Sequence, residues 1–193
     1  MPKCWETRRR GEQGFSLLEV MFSMVILTVG LVSLAGVMGI AMASTQNSQE
    51  QAISKRLANE ALESILTARE TANITFAQIA NTGSGGIFLS GPQPIDLAGT
   101  DGIVGTADDA AAGAQVLDLP GSTGVFMNSC PNGPDICLSL SNYTRTITIA
   151  PYLVGGVPDS ALNVVTITVT HYNPQMKTLA QNYILQTMIS QYR

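Results

Sequence analysis

Asp101, Asp108 and Asp109 fall within one nine-residue stretch, Asp101-Gly102-Ile103-Val104-Gly105-Thr106-Ala107-Asp108-Asp109. Carboxylate oxygens on a Gly-bearing loop are the hard donor set that calcium accepts. The spacing is not that of an EF-hand loop, which alternates its acidic positions and closes on a glutamate. A solvated acidic turn, with Asp108 or Asp109 capping a short Ala-rich helical turn, meets the same pattern, and both readings stand at this level. Cys130 and Cys137 flank Pro131-Asn132-Gly133-Pro134-Asp135-Ile136, a turn-rich loop compatible with a local disulfide. A thiolate metal centre needs further Cys or His ligands, whereas the third cysteine, Cys4, is remote in sequence and His171 is the only histidine. His171 closes a strand pattern and is expected at the surface or in a loop. Catalysis finds no support: no GxSxG elbow accompanies that histidine, and Gly83-Ser84-Gly85-Gly86 lacks the lysine of a phosphate loop. The chain reads as a non-enzyme with no required cofactor, calcium being the one candidate ion.

Glu19 is chemistry of another kind. From Phe15 to Gln49 it is the single charge in 35 residues, long enough to cross a bilayer as a helix. A carboxylate so placed is costly unless it is paired or snorkels to the interface, where the positive end of the helix also favours it. An ordinary secretory signal gives no reason for this carboxylate. Ala41-Met42-Ala43 has the small-residue form of a signal cleavage site, but the apolar run before it is about twice the length of a signal core.

The elements that must position these residues follow from charge and periodicity. Residues 1–14 carry a net +2 and the remainder −6, within a chain total of −4. Arg8, Arg9 and Arg10 precede the apolar run and no cationic cluster follows it at once, which keeps the N-terminus in the cytoplasm and sends the rest outward. The acidic remainder has no basic patch, so nucleic acid is not an expected ligand. Beyond the apolar run, Ile53, Leu57, Ala61, Ile65 and Ala68 recur at helical spacing with Leu62 and Leu66 beside them, an amphipathic continuation suited to packing on a sheet. Arg56 and Glu60 fall on its more polar side. Helix from Phe15 to Thr71 would span about 85 Å.

The run Arg8-Arg9-Arg10-Gly11-Glu12-Gln13-Gly14-Phe15-Ser16-Leu17-Leu18-Glu19-Val20 resembles the leader and cleavage motif of type IV prepilins: a short basic leader ending in glycine, then phenylalanine, then glutamate five residues into the mature chain. The resemblance implies that a prepilin peptidase cuts between Gly14 and Phe15 and methylates the Phe15 amine, leaving 179 residues. It further implies that Glu19 faces the N-terminal amine of a neighbouring subunit during assembly. A buried carboxylate and a buried ammonium each carry a desolvation penalty that their pairing offsets, which would set subunit register. Many pilins have a helix-breaking proline near Gly36; this chain has none.

The fold expected is α+β and type IV pilin-like, a long N-terminal helix packed on a C-terminal antiparallel sheet. The domain boundaries are 1–14 for the leader, 15–43 for the membrane-spanning helix and 44–71 for its amphipathic continuation. Residues 72–142 form an irregular, loop-rich region and 143–193 the strands of the head. In the irregular part, Ile87-Phe88-Leu89 and Gln115-Val116-Leu117 are strand candidates. Period-two alternation marks Tyr143–Ile149, Asn163–Thr170 and Asn182–Ile189 as strands, with turns at Pro151–Asp159 and Asn173–Lys177.

The apolar run and strand order are most similar to PilV-type minor pilins, with the GspI-type minor pseudopilins of type II secretion close behind. The partners implied are other pilin or pseudopilin subunits, the prepilin peptidase, an inner-membrane assembly platform and the lipid bilayer. The location implied is the inner membrane, single-pass, then a pilus or periplasmic pseudopilus. A membrane-tethered periplasmic binding module with its ligand site at 101–109 would use the same anchor, but gives no reason for Gly14-Phe15 beside Glu19.

Overall fold

The computed structural model describes residues 15–118, 126–127, 137–172 and 180–192, with the backbone alone at 126–127. Two compact units divide at Asn47 and Ser48. The first long element is α1, Leu17–Glu70, continuous through Gly30, Gly36 and Gly39.

In the first unit, the α1 residues from Leu17 to Asn47 are exposed all round, and the helix is long and apolar enough to cross a membrane. Its few hydroxyls do not interrupt it. Ser23 Oγ donates to Glu19 O at 2.8 Å, Ser33 Oγ to Val29 O at 2.8 Å and Thr45 Oγ1 to Ala41 O at 2.9 Å. Each polar side chain thus satisfies itself on the preceding turn, so it adds little desolvation cost in an apolar surround.

In the second unit, α1 turns one stripe inward: Ser54, Leu57, Ala58, Ala61, Ile65 and Ala68 are buried. The expected spacing is borne out, and the three alanines let the helix backbone approach its neighbours closely. The helix ends where Ala72 takes φ 61° and the Asn73 and Ile74 amides both donate to Ala68 O, a left-handed closure of the last turn.

The head contains β1 (Gln93–Pro94), α2 (Asp109–Ala112), β2 (Val116–Asp118), β3 (Phe126–Met127), β4 (Cys137–Ser139), β5 (Tyr143–Val154), β6 (Val157–Tyr172) and β7 (Ala180–Ser190). A four-stranded antiparallel sheet has the order β1-β5-β6-β7, and a small second sheet the order β3-β2-β4. The α+β, pilin-like layout is as expected: a long apolar helix followed by a C-terminal antiparallel sheet. Odd-numbered residues of the strands face the core, Ile147, Ile149, Val165, Ile167, Val169 and Ile189 among them, and they join the α1 stripe in one cluster.

Two expectations are corrected and the bounds of a third shift. The turn expected over Pro151–Asp159 contracts to Gly155-Gly156, because both glycines adopt positive φ (59° and 87°) and close a two-residue hairpin while β5 absorbs Pro151 at a register shift. Ile87-Phe88-Leu89 forms no strand. Phe88 makes a single parallel bridge to Asn81 and is fully buried, so the segment is an apolar staple under the helix. Gln115-Val116-Leu117 does yield a strand, moved one residue on to Val116–Asp118. The turn at Asn173–Lys177 lies outside the described residues.

The edge of β5 is held by one side chain. Asn81 Nδ2 donates to Ile147 O at 2.8 Å, and the Ile149 amide donates to Asn81 Oδ1 at 2.8 Å, so the carboxamide stands in for a neighbouring strand where β1 has run out.

Candidate functional site

Phe15 is 82% exposed and precedes the first turn of α1. The Glu19 and Val20 amides donate to Ser16 O at 3.0 Å and 3.3 Å, which starts the helix at Leu17 and puts Glu19 in its first turn, near the positive end of the dipole. The Glu19 side chain is exposed and has no partner among the described residues, so Phe15 and Glu19 are both open to a group from another molecule. Gly14, the residue before the expected scissile bond, lies outside the described residues.

A family model for the prokaryotic N-terminal methylation motif matches residues 9–35. The chain carries the type IV prepilin-type signal. With the apolar helix that follows, this signal makes the protein type IV pilin- or pseudopilin-like and fits a membrane-anchored, single-pass chain. It points to a structural family, not an enzyme, and implies association with other pilins and a prepilin peptidase. No curated protein and no solved structure matches the chain.

The acidic loop is drawn together as its spacing suggested. One carboxylate oxygen from each of Asp101, Asp108 and Asp109 lies within 4.8 Å of the others. Most of the bonding is internal to the loop. Asp109 accepts from the Gly99 amide at 3.1 Å and the Gly105 amide at 2.5 Å, and Asp108 accepts from Thr106 Oγ1 at 2.6 Å and Thr100 Oγ1 at 3.1 Å. Asp101 accepts from the Ile103 amide at 2.8 Å. These bonds use oxygens that a cation would also take. The Thr106 hydroxyl holds the Asp108 carboxyl down at about 2, whereas burial pushes Asp109 above the usual carboxylate range against the pull of the Gly105 and Gly99 amides. Gly99 is required here, since a Cβ would stand 2.2 Å from Asp108 Oδ2.

A second charged cluster was not expected. Arg145 is 3% exposed and its Nη1 lies 4.0 Å from Glu60 Oε2; Gln115 Nε2 donates to the same carboxylate at 3.0 Å and 3.2 Å. Burial pushes Glu60 above its usual range, opposed by the Arg145 charge and the Gln115 bond. Burial likewise pulls the Arg145 guanidinium down, opposed by Glu60, Asp109 and Asp96. From β5 the Arg145 charge thus acts on Glu60 of α1 and on Asp109 of the acidic loop, though its Nη1 makes no hydrogen bond. Parity was the available signal: Arg145 occupies an odd position between Tyr143 and Ile147, on the face that alternation assigns to the core.

The expectation that His171 is a surface or loop residue is overturned by the same parity. It follows Val165, Ile167 and Val169 on the inward face and is 4% exposed. Its Nδ1 lies 3.3 Å from Glu50 Oε2, out of hydrogen-bond alignment, and its ring centroid is 4.5 Å from that of Tyr143. Burial pushes the Tyr143 phenol up to about 12. Ser54 lines the same small hollow but donates its hydroxyl to Glu50 O at 3.0 Å, and the histidine packs the helix against the sheet.

Cys137 is disulfide-bonded; Cys130 lies outside the described residues. An open groove of about 890 Å³ runs beside α1, lined by Lys55, Glu63, Thr71, Asp101 and Gly102 among others. Its lining is polar and apolar in about equal parts.

Proposed function

We propose that this protein is a minor structural subunit of a type IV pilus-like filament. It enters the filament through α1 after cleavage between Gly14 and Phe15 and N-methylation of Phe15. Glu19 pairs with the methylated amine of an adjacent subunit and fixes the axial register. The observation that carries this reading is the prepilin-type signal over residues 9–35, with an exposed Phe15 and an unpartnered Glu19 in the first turn of an apolar helix. Pairing is the physical reason for that carboxylate, since bringing either charge alone among apolar helices costs several kcal/mol. The irregular, loop-rich region read from the sequence over 72–142 supports a minor role, because closely packed repeating subunits leave less room for such loops.

Intact mass and N-terminal sequencing of the protein from its native membrane or from sheared filaments test the assignment. The expected chain begins at N-methyl-Phe15. A chain beginning at Met1, or near Ser44, would overturn it. Gly14→Ala is expected to reduce leader removal.

A further inference from the structure

His171 is the chain's only histidine and is buried where β6 meets α1. Its Nδ1 has no hydrogen-bond partner among the described residues, although Glu50 Oε2 lies 3.3 Å away. The contact is close to the length of a hydrogen bond and lacks its direction. A neutral imidazole with its hydrogen on the other ring nitrogen turns a lone pair toward the carboxylate, so that two acceptors face each other. A proton on Nδ1 converts the same contact into an N–H donor on a carboxylate, the stronger, charge-assisted kind of bond. Only a small rotation is needed to align it. A hollow of about 160 Å³, lined by Glu50, Ser54, His171, Gln181, Asn182 and Tyr183 among others, gives the two side chains room to make that rotation.

The groups facing the ring come from three elements. From α1 comes Glu50, 26% exposed and so still partly hydrated. From β5 comes Tyr143, whose ring centroid is 4.5 Å away; burial and then the Glu50 charge push its phenol up to about 12, so it stays neutral. From β7 comes Gln181, directly opposite His171 in register, with Asn182 and Tyr183 beside it. Among the described residues lining the hollow, Glu50 is the only carboxylate and none is lysine or arginine. Its field reaches into this corner, since it bears on Tyr143 as well. Burial alone opposes an imidazolium, whereas a carboxylate at this distance and an aromatic ring within about 6 Å favour one. A metal ion would find only these two donors, because the groups of three or more metal-binding side chains lie elsewhere among the described residues.

We propose that His171 and Glu50 form a pH-operated latch between β6 and α1, closed when the imidazole takes up a proton and Nδ1 donates to the carboxylate. Imidazole is the side chain that changes charge between about pH 5 and 8 without a special environment. The sign follows from the chemistry: the bond belongs to the protonated ring, so its contribution is present in mild acid and lost as the ring gives up its proton. Glu50 is the third residue of the second unit, so the latch acts on the first turns of α1 in the head, from Glu50 to Ser54. Those turns are held more tightly to the sheet in acid. The latch does not depend on the filament reading.

The full chain in neutral detergent, carrying isotope-labelled histidine, gives NMR ring signals from His171 alone. The ring is expected as an imidazolium with a hydrogen-bonded Nδ1–H at about pH 5.5 and as the neutral form at about pH 8. Amide hydrogen exchange over residues 50–54, corrected for its intrinsic pH dependence, should be about three- to fivefold slower at the lower pH. His171→Gln, neutral throughout, and Glu50→Gln, which removes the counter-charge, should each abolish that difference with unchanged circular dichroism. Lys55→Gln, also on α1, should keep it. A ring that stays neutral at the lower pH, an imidazolium without the Nδ1–H bond, or exchange over 50–54 that does not slow in acid would each overturn the proposal. All three are read on the parent chain, so a variant that fails to fold leaves the test intact. Slowing that persists in folded Glu50→Gln would also overturn it, since the partner of the protonated ring would then be another group.

Discussion

Arg145 shows how one side chain can fix a position that burial alone would leave unstable. Its guanidinium sits in the core at the limit of ion-pair distance from Glu60, with Asp109 and Asp96 contributing to its field. Removing the cation alone strands the carboxylates, so Arg145→Met should destabilise the head by about 3–5 kcal/mol. Replacing the charge partner too, as Arg145→Met with Glu60→Leu, should recover most of that loss, because a well-packed apolar pair avoids both desolvation costs. A double-mutant cycle by urea unfolding checks this; additive losses would show that the pair is not coupled. The acidic loop makes a pH-dependent prediction. The folded-state value of Asp108 is depressed, from an ordinary 3.8 to about 2, so its contribution is present above 3.8 and is lost as pH falls toward 2. Glu60 and Asp109 are raised by burial and act oppositely: the penalty for ionising them is relieved as pH falls through their raised values. Thr106→Val removes the largest influence on Asp108 and should move its titration up toward 3.8, read by NMR of the carboxyl carbon.

At the scale of elements, an unpaired strand edge is a site where the head can self-associate. Asn81 satisfies Ile147 O and the Ile149 amide, and Asn81→Ala would leave both groups unpaired at a half-protected edge. A loss of about 1–3 kcal/mol is expected, with an increased tendency to self-associate, measured by thermal unfolding and light scattering. That contact joins residues more than sixty positions apart and has no periodic signature, so nothing in the sequence announces it. Other elements were readable for clear physical reasons. α1 is long, with four-residue spacing on its buried stripe, and β5 to β7 alternate strictly over many residues. The short strands β1, β3 and β4 carry too few residues to establish a period, and tertiary pairing alone defines them. The prepilin-type signal over residues 9–35 was legible because its pattern is local in sequence. Arg145 and His171 carried their signal in parity, which composition hides: a charged or titratable residue at a core position looks like an interruption until its register is known.

For the molecule as a whole, Glu19, the single charge in the apolar run of α1, carries a different burden from Glu60 and the carboxylates of the acidic loop. Asp108, Asp109 and Glu60 find donors within the head, whereas Glu19 has none among the described residues and lies in the first turn of an exposed apolar helix. If its partner is the amine of a second subunit, its loss should be silent until subunits meet. Glu19→Ala should then fold, insert and be processed much as the parent is, since neither the core nor residues 8–15 change. Incorporation into filaments should fall by about tenfold or more, the loss expected when a desolvated ammonium is left without its counter-charge. Glu19→Asp, which keeps the charge on a shorter stem, should restore part of it. Immunoblots of sheared filaments against membrane fractions separate the steps: a variant processed and incorporated normally removes the pairing role, whereas one that fails at processing would place Glu19 in peptidase recognition.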